Sequence, residues 1–186
     1  MDDVISLPND ADRPKAPKIA GVTEAQRRQG QRLALFHAMH LRELAKVRRA
    51  MAGVFAGDGS ADALLVTISS MQMFANMRQF GNLCGAACEM LTGHHMIEDE
   101  YVFPVLHGRT DGLNKVVERL RAEHLVIHKL LVRVETAARM LITVPGMKSA
   151  AGLRSEFGRL EEFVASHFGY EQTELEEALG VYGVDI

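Results

Sequence analysis

Long apolar runs, a basic surplus, a cysteine framework and strand-like alternation are all missing from this chain of 186 residues. No stretch approaches the roughly 20 consecutive apolar residues of a membrane-crossing helix, so no membrane partner is expected. The 21 Lys and Arg residues are scattered among 24 Asp and Glu, for a net charge of −3. That leaves no electrostatic footprint for nucleic acid. The only cysteines, Cys84 and Cys88, are one helical turn apart on one segment. This is poor disulfide geometry, and it points to two packed thiols in a reducing compartment. The opening residues MDDVISLPND are acidic and contain proline rather than being basic and apolar, unlike a secretory leader. The expectation is a soluble, cytoplasmic protein.

What the chain does have is helical periodicity. Hydrophobic residues make up 47% of it, enough for one well-buried core, and nothing demands a second domain. Residues 1–22 hold Pro8, Pro14 and Pro17 among polar residues without apolar periodicity, and read as a flexible arm. Thr23-x-x-Gln26 reads as a capping box opening helix A, with Leu33, Phe36, Leu44, Val47 and Met51 at helical spacing, before Gly57-Asp58-Gly59-Ser60 ends it. Helix B runs from about Asp62 to Leu106, broken by Gly81, Gly85, Gly93 and Pro104. Phe80, Cys84, Ala87, Leu91, His94, Glu98, Tyr101 and Val105 share one of its faces. Helix C carries Leu113, Val117, Leu120, His124, Ile127, Leu131 and Val134 on one stripe and stops before Val144-Pro145-Gly146. Helix D carries Leu153, Phe157, Leu160, Val164, His167, Glu171 and Leu175, ending at Gly180, with residues 181–186 as a tail. Amphipathic helices with short connections predict an all-α, up-down-up-down four-helix bundle over residues 23–180.

The chemistry lies in a pattern that occurs twice, His94-x-x-x-Glu98 and His167-x-x-x-Glu171. Positions i and i+4 are neighbours on one helix face, roughly 5–6 Å apart at Cβ, so an imidazole and a carboxylate point at one spot. A single histidine on an apolar face is ordinarily a hydrogen-bonded core residue. Here helices A and C add histidines of their own, and four core-facing stripes converge. Burying two carboxylates costs on the order of several kcal/mol each unless cations compensate, and a pair of metal ions does so while using the imidazole lone pairs.

Register within the helices follows from the stripes. His94 with Glu98 continues a face of large apolar residues, whereas His95 with Asp99 continues a poorer one, so the former pair is preferred. On helix A, His37 and His40 both border the stripe, and periodicity does not choose between them. On helix C, His124 is central, and His128 follows one turn later on nearly the same face as a further candidate. Tyr170, three residues after His167, reads as a packed aromatic or as a hydrogen-bond donor to a metal-bound oxygen. Met71, Met73 and Met77 lie outside the His/Glu set and argue for packing rather than copper. Imidazole plus carboxylate suits iron, manganese and zinc. Two ions are favoured over one, iron first, because a carboxylate from each of two helices can bridge a pair.

Taken as an ordered set, Leu35-Phe36-His37-Ala38-Met39-His40-Leu41-Arg42, the run from His94 to Pro104, Glu123-His124, and His167-Phe168-Gly169-Tyr170-Glu171 resemble the hemerythrin HHE cation-binding family. The resemblance implies a non-haem di-iron centre, oxo- or hydroxo-bridged, with His37, His94, His124 and His167 as terminal ligands and Glu98 and Glu171 as bridges. It also favours His37 over His40. The oxygen carriers of that family place Asp five residues after the helix-D histidine, where this chain has Gln172, which argues against oxygen transport. His124-x-x-x-His128 is similar to the carriers' two-histidine pattern and keeps His128 as an added ligand. The function implied is binding of, or reaction with, O2, peroxide or NO for sensing, scavenging or stress defence. That range includes peroxide- or NO-consuming enzymes, though no catalytic residue is assigned. An iron-responsive or iron-storing module is the alternative, and a zinc-stapled structural bundle comes third.

Overall fold

The computed structural model describes residues 5–55 and 86–184. Every regular element among them is helical: α1 (Glu24–Gly30), α2 (Arg32–Phe55), α3 (Ala86–Ile97), a π-helical turn (Glu98–Val102), α4 (Phe103–Leu106), α5 (Asp111–Thr143) and α6 (Met147–Val181), with a short 3-10 turn at Asp10–Asp12. The first half of helix B lies outside the described residues, as do Met71, Met73, Met77 and the side chains of Cys84 and Cys88. No helix among the described residues is long and apolar enough to cross a membrane.

Helix A starts as its sequence dictates. Thr23 Oγ1 accepts the Gln26 backbone N–H, and Gln26 Oε1 accepts the Thr23 N–H at 2.9 Å. It is divided, however, because α1 closes at Gly30 and α2 begins at Arg32. Two glycines account for the way α1 sits on α6. A Cβ on Gly30 would fall 1.9 Å from the Glu176 carbonyl oxygen, and one on Gly180 would fall 1.9 Å from that of Gln26. Only glycine permits backbones this close.

Helix B departs from its expected face. The Phe103 N–H reaches back five residues to the Glu98 carbonyl, opening a π turn just where Pro104 has no N–H to give Glu100. The extra residue advances the helix phase by about one position. Val102 and Leu106 are therefore buried, where uninterrupted periodicity predicts Tyr101 and Val105, which are exposed.

The chain forms two compact units. The first comprises residues 1–39, 93–127 and 162–186. In it, α2 runs antiparallel to α6, since residues 37 and 31 meet 172 and 176. The stretch from Glu98 to Gly108 runs antiparallel to α5, with Glu98 opposite His124 and Gly108 opposite Asn114. The three-residue link 144–146 returns α5 into α6, which completes the up-down-up-down order. Its core is Leu33, Val102, Phe103, Leu106, Leu113, Val116, Val117, Leu120, Tyr170, Leu175, Ala178 and Leu179. Each large side chain here contributes about 1.5–3 kcal/mol on burial. The second unit, residues 40–92 and 128–161, buries Leu44, Leu130, Val134, Leu153, Phe157 and Leu160, and joins Arg133 to Glu156 by two hydrogen bonds of 2.9 and 3.0 Å.

The segment read as a flexible arm has partners that its composition did not signal. Arg13 is buried, Tyr170 donates its hydroxyl to the Pro14 carbonyl at 2.7 Å, and the Ala16 and Ile19 N–H groups bond Glu174 and Glu177 on α6. Backbone hydrogen bonds to buried or half-buried carboxylates substitute for the apolar stripe that the segment lacks.

Candidate metal centre

Polar side chains, buried apart from the half-buried His94, concentrate at one level of the first unit. His37 comes from α2, His94 and His95 from α3, Glu98 from the π turn, His124 from α5, and His167 with Glu171 from α6. The i,i+4 spacing of His94 and Glu98 brings His94 Nε2 to 3.1 Å from Glu98 Oε1, and the same spacing on α6 places His167 Nε2 3.7 Å from Glu171 Oε2.

The donors fall into two groups of three, His37 with His94 and Glu98, and His95 with His124 and His167. In each group the ligand atoms lie within 4.8 Å of one another. Both carboxylates span the two groups. Glu98 Oε1 lies 3.9 Å from His37 Nε2, while its Oε2 lies 3.5 Å from His124 Nε2. Glu171 Oε2 is 3.4 Å from His37 Nε2 as well as near His167.

Nine buried side-chain N and O atoms among the described residues have no hydrogen-bond partner, and all belong to His95, Glu98, Asp99, His124, His167 and Glu171. Both oxygens of Glu98 and both of Glu171 are among them. An unmatched buried polar atom costs about 1–3 kcal/mol, so nine in one place are not a tolerable accident of packing. Lone pairs from imidazole and carboxylate, aimed at common points and unmatched by any donor, fit metal cations.

Protonation agrees with this use. Burial first, then the neighbouring histidines, holds His95 far below the ordinary imidazole value, and burial brings His167 down to about 4. Both are neutral at pH 7, the form that ligates. Burial and the facing Glu171 push Glu98 well above the carboxylate range.

Outside the ligand atoms, a second ring of contacts fixes them. Burial acts to raise the Glu123 carboxyl, but hydrogen bonds from His167, Arg13 and Arg119 prevail and hold it at about 2. An ionised carboxylate only accepts, so His167 Nδ1, 3.1 Å from Glu123 Oε2, carries the proton and Nε2 presents its lone pair inward. Gln172 Nε2 lies 2.8 Å from His37 Nδ1. With the amide nitrogen there, His37 keeps its proton on Nε2, 3.1 Å from His94 Nε2; a half-turn of the amide puts Oε1 opposite Nδ1–H and frees the Nε2 lone pair. Phe168 stacks on the His37 ring at 3.8 Å, and Phe103 flanks that of His124 at 5.5 Å.

Of the residues the sequence singles out, His37, His94, Glu98, His124, His167 and Glu171 meet here. His128 does not, being exposed on α5. The imidazole that joins His124 and His167 is instead His95, which stacks on His124 at 4.1 Å. Stripe reasoning treats His94 and His95 as competitors for one point. Two adjacent points accept both, because neighbours on a helix diverge by about 100°. The signal was present in the doublet, since Glu98 is four residues from one histidine and three from the other. His40 is buried but belongs to neither group. The Tyr170 hydroxyl is committed to Pro14, the packed-aromatic role. Asp99, weighed with His95 and set aside, lies 3.2 Å from His124 Nδ1, and Arg13 and the contact of Gln172 with His37 were not foreseen.

A family model described as the hemerythrin HHE cation binding domain matches residues 31–179. No curated protein and no solved structure matches the chain.

Proposed function

The chain belongs to the hemerythrin HHE cation-binding family, and on that premise we propose that its two donor groups hold a pair of non-haem iron ions that bind or react with a small oxidant, O2, peroxide or NO, in sensing, scavenging or stress defence. The observation that carries this reading is the set of nine unmatched buried atoms shared between two adjacent groups, with Glu98 and Glu171 facing both. A bound iron pair supplies two electrons and a coordination position for a small ligand.

The protein's share is electrostatic and steric. Neutral imidazoles donate lone pairs without adding positive charge, and the two buried carboxylates offset cationic charge. Glu123 keeps the proton of His167 on Nδ1, away from the ligand face. Phe168 and Phe103 wall the imidazoles of His37 and His124. The His37 and His94 group has one imidazole fewer than the other, and His94 is the least buried of the cluster's histidines. A small molecule entering from solvent would therefore reach that side first.

The test is metal analysis with an optical spectrum. Protein from iron-replete cells should contain about two irons per chain and show ligand-to-metal absorption that shifts with azide. Stoichiometric zinc without colour would end the iron assignment. The unmatched carboxylates favour a second reading, an iron-responsive module in which metal affinity appears as folding free energy. Reversible spectral change with O2 or NO selects the first; a melting temperature that responds to iron, with no such change, selects the second.

A further inference from the structure

Arg13 lies outside the residues that match the family, on a segment whose composition signals no structure, yet among the described residues it is the one Lys or Arg side chain that is buried. Its Nε donates to Glu123 Oε1 at 2.9 Å and its Nη2 to Glu123 Oε2 at 2.8 Å, a two-pronged pairing. Its Nη1 donates to Asp10, to the Ser166 carbonyl at 3.3 Å and to the Ser166 hydroxyl at 3.0 Å. The guanidinium carbon lies 4.6 Å from the centre of the Tyr170 ring. Glu123 Oε2, the oxygen that Nη2 grips, is also the acceptor of His167 Nδ1–H. An unbroken path therefore runs from the N-terminal segment through a fixed carboxylate to one imidazole. In the other group His37 is backed by Gln172.

We propose that Arg13 is a positioning residue for the metal centre: by clamping Glu123 it fixes the orientation and tautomer of His167, so that docking of residues 10–19 on α6 sets the affinity of the His95, His124 and His167 group and leaves the other group unaffected. The inference rests on the metal reading above. The clamp requires the fork, because Arg119 also reaches Glu123 Oε1 at 2.7 Å yet makes no contact with Oε2, the atom that holds the imidazole. The segment is seated independently of Arg13. Lys15 lies 3.2 Å from Glu174, the Ala16 N–H bonds the same carboxylate, and Pro17 lies against Gly112, where a Cβ would come within 2.9 Å of its ring. Removing the guanidinium thus loosens Glu123 without undocking the strap.

The experiment titrates metal-free wild type, Arg13→Ala, Arg13→Lys and Glu123→Gln with Co(II), following d–d absorption and bound metal per chain, with a thermal melt of each metal-free protein. Wild type is expected to take up two ions. Arg13→Ala should weaken one of them by about 10–100-fold, with a shifted absorption band, and leave the other at wild-type affinity. Glu123→Gln should do the same, and Arg13→Lys should recover part of the loss, since it restores charge without the fork. Unchanged affinities and band in Arg13→Ala overturn the proposal. So does equal weakening of both ions alongside a lower metal-free melting temperature, which would make Arg13 a fold anchor only. If Arg13→Ala does not fold, Arg13→Lys decides, and wild-type uptake by that variant overturns the proposal. Wild type that binds no Co(II) overturns the metal reading itself, an outcome independent of Arg13.

Discussion

Glu171→Gln tests whether the carboxylates are built for metal rather than for the fold. Burial first, then the charges of Asp99 and Glu123, raise the Glu171 carboxyl from its ordinary 4.5 to about 8, so in metal-free protein at pH 7 the group stays protonated while its unfolded counterpart is ionised. Holding it neutral over that interval costs about 1.4 kcal/mol per pH unit, or roughly 3 kcal/mol at pH 7. With the folded value raised, the penalty is absent below the unfolded pKa and grows as pH rises from there toward the folded one. Gln fills the same volume, carries no such penalty, and offers an N–H donor to the unmatched lone pairs of His167 and Glu98. Glu98 remains, so the expected gain is discounted to about 1–3 kcal/mol, a rise in melting temperature of roughly 3–10 °C for a chain of this size. Thermal melts of chelator-treated wild type and variant at pH 5.5 and 7.5 measure it, with the variant's advantage larger at the higher pH. The same substitution should remove at least one metal ion and most of the metal-dependent rise in melting temperature. A metal-free variant that melts below wild type at pH 7.5, or one that retains the full metal complement, refutes the reasoning.

The two histidines of the α3 doublet should behave alike and His128 differently. His95→Gln is expected to lower bound metal by about one ion per chain, whereas His128→Gln should leave metal content and spectrum unchanged, both read by elemental analysis. Gly30→Ala forces a methyl against the Glu176 backbone and should destabilise by about 1–3 kcal/mol or more in urea unfolding, while Gly158→Ala, which meets nothing within 4 Å, should not. Glu123 is held at about 2 in the folded chain, so its contribution is present above pH 4.5 and lost as pH falls from there toward 2. Glu123→Gln should flatten the fall in urea midpoint across that window, and an unchanged slope would deny the Arg13 and His167 contacts their role.

The helices and most of the clustered His and Glu side chains were legible because they obey short-range rules. Every expected α6 stripe residue from Leu153 to Leu175 is buried, and the Thr23 capping box forms as written. Two kinds of information were not. The π turn is a local consequence of Pro104, but whether a proline kinks, ends or widens a helix depends on what the tertiary packing rewards, and here the shift of one residue buries Val102 and Leu106 in place of Tyr101 and Val105. Arg13 was invisible for another reason: it is held by polar contacts to residues 110 and 153 positions away, and separations of that size leave no periodic trace.

These two omissions bear on the same centre from opposite sides. A carboxylate facing two imidazole groups must sit where both can reach it, and the π turn begins at Glu98, three residues after the doublet that feeds each group one histidine. If the turn matters for that placement, Pro104→Ala, which restores the missing N–H to Glu100, should let the α-helical ladder close and rotate Val102 and Leu106 off the core. The side chains lost from the core would cost about 1–3 kcal/mol in urea unfolding, despite the removal of a proline from a helix. A Pro104→Ala protein more stable than wild type would show that the proline, rather than the packing of Val102 and Leu106, is the strained element.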